Sequence, residues 1–240
     1  AILEHNCSES WDTVPSLSFL DENETLHRTA QAPAFKDLDD VPSPYLTGIF
    51  GPLMAGNLEQ KWIALWETNR NCPFSCTFCG WGLLESKPII RNLAHVCAEI
   101  DWFADHHIDF VFCADANFGL LPRDIEIATY VARVKQERGY PKRLSVQDTK
   151  NVKERAYRVR TILGEAGLNT SVVISLQSVD PTTLKIIRRD NIKLNYFYEI
   201  QRRFAANGIE TMTDLILGLP GETYDSWVNG ISEIIASGQH

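Results

Sequence analysis

From Lys61 onward, short apolar runs alternate with stretches of helical periodicity, and this alternation restricts the fold more than any other feature of the chain. Strand and helix in succession are compatible with a parallel sheet, in which each helix crosses back over the strands. Ile63–Glu67 reads as the first strand. A helix over Asn92–Ala104 leads to a second strand at Asp109–Cys113, and a helix over Arg123–Arg138, stopped by Gly139, leads to a third at Arg143–Gln147. A helix over Val152–Ala166, stopped by Gly167, precedes a fourth strand at Ser171–Leu176. Helical stretches at Thr182–Arg188 and Leu194–Ala206 precede a fifth strand at Thr211–Leu217, and a helix at Tyr224–Ser237 ends the series. The expected class is α/β with parallel strands, a partial (β/α) barrel of about five β/α units. Eight units close a standard barrel, so the last strand would leave an open edge and the chain reads as truncated at its C-terminus.

In such folds reactive groups collect on the loops after the strands, and the unusual polar residues of this chain fall there. Asp115, Asn117 and Gly119 follow the second strand, although Asp, Asn and Gly are also ordinary turn formers. Gln147 and Asp148 end the third strand. Ser175 and Gln177 end the fourth, and the two-residue strand period points both side chains to one face, where a polar ligand would relieve the cost of burying them. Gly218-Leu-Pro-Gly221 follows the fifth; it allows close backbone approach to a ligand, or is a tight turn.

After the first strand comes Cys72-Pro-Phe-Ser-Cys76-Thr-Phe-Cys79, a CxxxCxxC run. Four-iron clusters are usually held by four thiolates, so a loop that offers three leaves one iron open to a ligand. A zinc site would show paired C-x2-C spacing or a distant His pair, and His95, the nearest downstream histidine, sits in an amphipathic helical pattern. A disulfide requires an oxidising compartment. The other cysteines, Cys7, Cys97 and Cys113, are dispersed; Cys97 and Cys113 lie in apolar patterns and read as small core residues.

The 240 residues, 44% hydrophobic and 22% charged, suffice for a sizeable core. A formal charge of −8 argues against nucleic acid as the main partner. No apolar run reaches the roughly 18 residues of a membrane-spanning helix. Free thiols fit a reducing compartment, so a cytoplasmic location away from membranes is expected.

The cysteine spacing, with Phe78 directly before the last cysteine, resembles the signature of the radical S-adenosylmethionine (SAM) enzymes. The resemblance extends over about Lys61 to His240, through the order of the strand-end loops. It implies a 4Fe-4S cluster on Cys72, Cys76 and Cys79, with SAM on the open iron and Phe78 beside its adenine. One electron then cleaves SAM to methionine and a 5′-deoxyadenosyl radical, which abstracts hydrogen from substrate. By the same resemblance, Asp115 and Asn117 lie where the methionyl amino group is bound, and Gln147 is a polar contact to SAM. Ser175 and Gln177 lie near its ribose and carboxylate. Arg189 matches an arginine that pairs with that carboxylate, though a solvated arginine is an equal reading of the residue alone. Gly218 and Gly221 belong to the loop that approaches adenine.

Residues 1–60 narrow the resemblance. Leu38-Asp-Asp-Val-Pro-Ser-Pro-Tyr45-Leu-Thr-Gly-Ile-Phe50 looks like the segment that joins a cobalamin-binding domain to the core in cobalamin-dependent members, stiffened by its prolines. Val14 to Glu24 reads as a small strand and turn, similar to the last hairpin of that upstream region; an ordinary polar extension fits these residues too. The division expected is 1–60 as the end of an upstream region and 61–240 as a radical SAM core. The DxHxxG motif that supplies an axial histidine to cobalamin is absent. The implied reaction is methyl transfer to an unactivated carbon of a secondary metabolite or peptide, with cobalamin used in the full-length protein. An electron donor such as flavodoxin or ferredoxin would be needed. A cobalamin-free radical SAM enzyme and a non-catalytic iron-sulfur or zinc module are the alternatives.

Overall fold

A computed structural model describes residues 11–33, 36–81, 87–151 and 153–236; Cys7, Val152 and Ser237 lie outside the described residues. The chain forms two units, residues 1–36 and residues 37–240.

In the first unit, strands β1 (Ser18–Leu20) and β2 (Leu26–Arg28) pair antiparallel, Ser18 opposite Arg28 and Leu20 opposite Leu26. Asp21 fixes the turn between them. Its carboxylate accepts hydrogen bonds from the Asn23 and Thr25 amides at 2.8 and 2.9 Å, the side-chain-to-backbone bonding for which Asp is favoured in turns. The expected small strand and turn is therefore a hairpin.

The second unit opens with the segment 37–50 and the short helix α1 (Gly51–Ala55), followed by strand β3 (Ile63–Trp66). Strands β4 (Asn69–Arg70) and β5 (Ile89–Ile90) pair antiparallel on either side of the cysteine segment. The β/α succession then runs α2 (Leu93–Asp105), β6 (Phe110–Cys113), α3 (Asp124–Arg138), β7 (Arg143–Ser145), α4 (Glu154–Glu165) and β8 (Ser171–Val173). It continues through α5 (Pro181–Ile186), α6 (Leu194–Ala206), β9 (Glu210–Met212) and α7 (Tyr224–Ala236). Asn92 caps α2 by accepting from the Ala94 amide, and Gly139, at φ 80°, ends α3 in the left-handed conformation that favours glycine.

Two parallel ladders result, β3-β6-β7 and β8-β9. Each has its own apolar core. Trp66, Phe103, Val111, Ile127 and Leu144 lie in the first; Val172, Ile174, Phe197, Phe204 and Ile234 lie in the second. The seam between β7 and β8 is joined by a buried charge pair. Arg160 of α4 donates through Nε to Asp148 Oδ1 at 2.5 Å and through its NH2 group to Asp148 Oδ2 and to the Val146 carbonyl. The same Asp148 carboxylate accepts the Val173 amide of β8 at 3.1 Å.

The strands are shorter than the sequence predicts, and they shorten at the C-terminal end. The stretches expected to reach Glu67, Gln147, Leu176 and Leu217 end at Trp66, Ser145, Val173 and Met212. Beyond those points the pairing is interrupted and resumes only as isolated parallel bridges: Gln177, at φ 67°, bridges Leu215 by donating to the Asp214 carbonyl and accepting from the Ile216 amide. The segment expected to link an upstream region is held against the large unit. Leu38 is fully buried, the Asp39 carboxylate accepts the Asn92 amide at 3.0 Å, and the Tyr45 hydroxyl donates to the Leu65 carbonyl.

Candidate active site

The cysteine loop begins where β3 ends, and Asp115 braces its root. This carboxylate, fully buried beyond β6, accepts from the Thr68 amide at 2.7 Å, the Thr68 hydroxyl at 2.5 Å, the Asn69 amide at 3.1 Å and Asn69 Nδ2 at 2.7 Å. Burial lifts its pKa while these bonds oppose the rise. The antiparallel β4–β5 clasp closes the base of the loop. Asn71, at φ 81°, turns the chain into Cys72, and farther on the Thr77 amide donates to the Ile187 carbonyl at 3.1 Å, fixing the loop to the end of α5.

Cys72, Cys76 and Cys79 are free thiols that line one cavity of about 480 Å³. Nitrogen donors face the sulfurs. Asn117 Nδ2 stands 3.2 Å from Cys72 Sγ, while Arg189 and Lys150 approach Cys76 Sγ at 3.8 and 4.0 Å. Arg189 is 9% exposed and held in place: its Nε donates to Asn191 Oδ1 at 2.9 Å and its NH2 group to the Ser175 carbonyl. Burial draws its pKa below the ordinary arginine value, with the Cys76 sulfur pulling the other way. Lys150 lies 4.1 Å from the centre of the Phe74 ring; burial lowers its pKa too, against the same sulfur.

Gln147, Ser175 and Gln177 line the cavity with the cysteines, and Ser175 Oγ donates to Asp214 Oδ2 at 2.8 Å. Ser175 and Gln177 lie beyond the end of β8, so an irregular backbone, not an extended strand, brings both to the cavity. Aromatic walls come from Phe74, Phe112, Phe78 and Trp81, the last two on the exposed rim.

Three residues singled out from sequence are placed elsewhere. Asp115 does not line the cavity, because its oxygens are taken up by Thr68 and Asn69. Gly218 lies outside it and donates its amide to Glu222 Oε2 at 2.7 Å. Gly221 also lies outside; its φ of 86° is a backbone conformation that favours glycine, and Ile186 Cδ1 of α5 occupies the space beside it. Sequence reasoning missed Lys150, Phe74 and Trp81. Lys150 was findable as a cation just past a strand end. The rim position of Trp81 depends on the path of the loop, which no local pattern encodes.

The donor set fits the group implied by the cysteine spacing. Three thiols offer metal ligands, and N–H groups and positive charge face their sulfurs as in the outer shell of metal-thiolate sites; among the described residues the three sulfurs are not drawn together into a ready-made metal cluster, so the fit is one of chemistry.

The chain is similar to the cobalamin-dependent radical SAM methyltransferase TokK of Streptomyces tokunonensis, 40% identical over 206 residues that make up 85% of this chain and 30% of that protein. It is similar to the 2-(S-pantetheinyl)-carbapenam-3-carboxylate methyltransferase of Streptantibioticus cattleyicolor, 39% identical over 84% of this chain and 30% of that protein. The chain thus spans about a third or less of the curated relatives it matches. Its fold matches that of TsrM from Kitasatospora setae, solved with cobalamin and a [4Fe-4S] cluster bound, with a TM-score of 0.69 at 18% identity over 97% of this chain and 46% of that one. Residues 66–232, from the end of β3 into α7 and with the whole cysteine loop between them, match the family model for the radical SAM superfamily, and the chain belongs to that superfamily.

Proposed function

We propose that this chain is the SAM-cleaving part of a cobalamin-dependent radical SAM methyltransferase, acting on an unactivated carbon of a small secondary metabolite or peptide. The observation that carries the reading is the meeting of Cys72, Cys76 and Cys79 with Asn117, Lys150 and Arg189 in one cavity, whose other polar wall is Gln147, Ser175 and Gln177. When bound, a four-iron cluster with SAM on its open iron supplies one-electron cleavage of SAM and a carbon radical, and cobalamin in the full-length protein supplies the methyl carrier.

The chain's own residues hold and shield these groups. The three thiols would hold the cluster. Asn117, Lys150 and Arg189 place N–H groups and positive charge beside the sulfurs, which sets how readily the site accepts an electron. Ser175, Gln177 and Gln147 offer hydrogen bonds to a polar cofactor, and Phe78 and Trp81 present flat apolar surface at the rim. The two parallel ladders support a reading as successive parts of one partial barrel of about five units. The hairpin and the docked segment at 38–45 support residues 1–60 as the junction to an upstream cobalamin-binding region. Among the described residues no helix is long and apolar enough to cross a membrane, and the free thiols suit the reducing cytoplasm. Methyl transfer is the activity in the names of both curated relatives, one of which acts on a carbapenam carboxylate.

Anaerobic electron paramagnetic resonance of the reconstituted, reduced protein tests the reading. A four-iron signal that shifts when SAM is added, and that is lost in Cys76→Ala, is the expected result. A signal indifferent to SAM would defeat it.

A further inference from the structure

We propose that the groove on the outer face of the cysteine loop is the docking site of an acidic one-electron carrier protein; this rests on the reaction proposed above, which consumes an electron. Ser75, Leu184, Lys185, Arg188, Arg189 and Lys193 are among the residues lining this groove of about 650 Å³. The loop is a thin partition. Cys76 lines the cavity on one side, its neighbour Ser75 lines the groove on the other, and Arg189 lines both. The Thr77–Ile187 backbone bond holds the partition in place. A redox centre seated on the groove would therefore be separated from the Cys76 sulfur by little more than one residue's thickness.

The charge of the groove selects the partner. The chain carries −8 overall and would repel an acidic protein, yet Lys185, Arg188 and Lys193 are exposed here, with no ion-pair partner among the described residues. Asp190 is the acidic residue lining the groove, against these three cations and Arg189. Local complementarity of this kind steers encounter and orients the pair.

The backbone adds an independent observation. Arg188 follows the cap residue of α5 at φ 51°, and the Arg189 amide donates to the Leu184 carbonyl at 2.9 Å while the Arg188 amide donates to the Lys185 carbonyl at 3.3 Å. That is a Schellman ending, whose left-handed position favours glycine. An arginine there costs about 1–2 kcal/mol of backbone strain. The turn sends Arg188 out to the groove and the next residue, Arg189, in to the sulfur. On docking, the carrier's reduced flavin or iron-sulfur centre loses one electron and the cysteine-held cluster gains it; no bond forms or breaks at the interface.

The test uses the reconstituted enzyme and a flavodoxin, an acidic flavin carrier, at two salt concentrations. Binding of oxidised flavodoxin is titrated by fluorescence anisotropy, and SAM cleavage is followed with flavodoxin hydroquinone or with dithionite as reductant. For the variant K185E/R188E/K193E the expected result is about a ten-fold or greater loss of affinity and of flavodoxin-driven rate, with the dithionite-driven rate unchanged. Arg188→Gly serves as a second variant, expected to be at least as stable as the parent yet several-fold weaker in binding flavodoxin. Affinity within two-fold of the parent in both variants overturns the proposal, as does an equal slowing with both reductants. A parent enzyme that fails to cleave SAM with dithionite denies the reaction, while the binding titration still decides the surface.

Discussion

Asp115 and Asp124 show how polar residues after a strand serve the site without entering it. Asp115 spends its oxygens on Thr68 and Asn69 and so fixes the root of the cysteine loop. Asp124, at the start of α3, accepts the Gly119 and Leu121 amides at 2.8 and 2.9 Å, closing the loop that carries Asn117. Burial dominates its titration and pushes its pKa up from 3.8 to about 6, the two amide bonds only partly opposing. The native state therefore binds a proton at pH values where the unfolded chain has released it. The contribution of Asp124 to stability is complete below about pH 4 and is lost as pH rises through 6, a change of about 3 kcal/mol. Asp124→Asn keeps one acceptor oxygen and cannot ionise, so its stability should lack this limb. Urea unfolding of both proteins at pH 4, 5, 6 and 7 checks it: the difference between them should move in favour of the variant as pH rises, and a difference independent of pH would refute the assignment.

Among the elements, α5 links the cysteine loop to the rest of the core. Its end accepts the Thr77 amide through the Ile187 carbonyl, and its Ile186 packs on Gly221. Asp180 starts the helix by accepting the Thr183 amide at 2.7 Å, with Pro181 in the first turn. Removing that cap in Asp180→Ala should cost about 1 kcal/mol and lower the melting midpoint by about 2–4 °C. Because the cysteine loop rests on this helix, iron retained after gel filtration should fall as well; Asp180→Asn, which keeps the acceptor, should restore both. A variant that melts earlier but retains all its iron would show that α5 does not hold the loop. The helix expected from the sequence starts at Thr182, and the cap, Asp180, two residues earlier, was not singled out there. The order of strands and helices was legible because apolar periodicity is local. The β4–β5 clasp was not, since two-residue strands carry no period, and the early ends of the strands were not, since an interruption such as Gln177 at φ 67° leaves no mark in the apolar pattern. The cysteine spacing located the cavity, whereas the Lys150–Cys76 contact and the bond from Ser175 in the cavity wall to Asp214 join residues far apart in sequence.

At the scale of the large unit, two cores meet along one seam, and Asp148 with Arg160 spans it. Both side chains are almost wholly buried, at 5% and 3% exposed. A buried pair of this kind contributes little beyond a well-packed apolar substitute, but loss of one partner strands the other's charge. Arg160→Met should therefore destabilise the protein by about 3–5 kcal/mol. Asp148→Leu with Arg160→Met should recover part of the loss, but not all, because the Val173 amide then lacks its acceptor. The site supplies a second readout. Gln147, next to Asp148, and Ser175, beyond β8, line the cavity from opposite sides of the seam. A loosened seam should thus weaken SAM binding more than cluster loading, whose three ligands sit on one short loop. Titration of SAM into the reconstituted protein, followed by the change in the cluster's paramagnetic signal, separates these effects. The expected outcome for Arg160→Met at low temperature, where it remains folded, is full iron content with several-fold weaker SAM affinity. Equal loss of iron and of SAM affinity would instead mean that the two ladders unfold as one cooperative body.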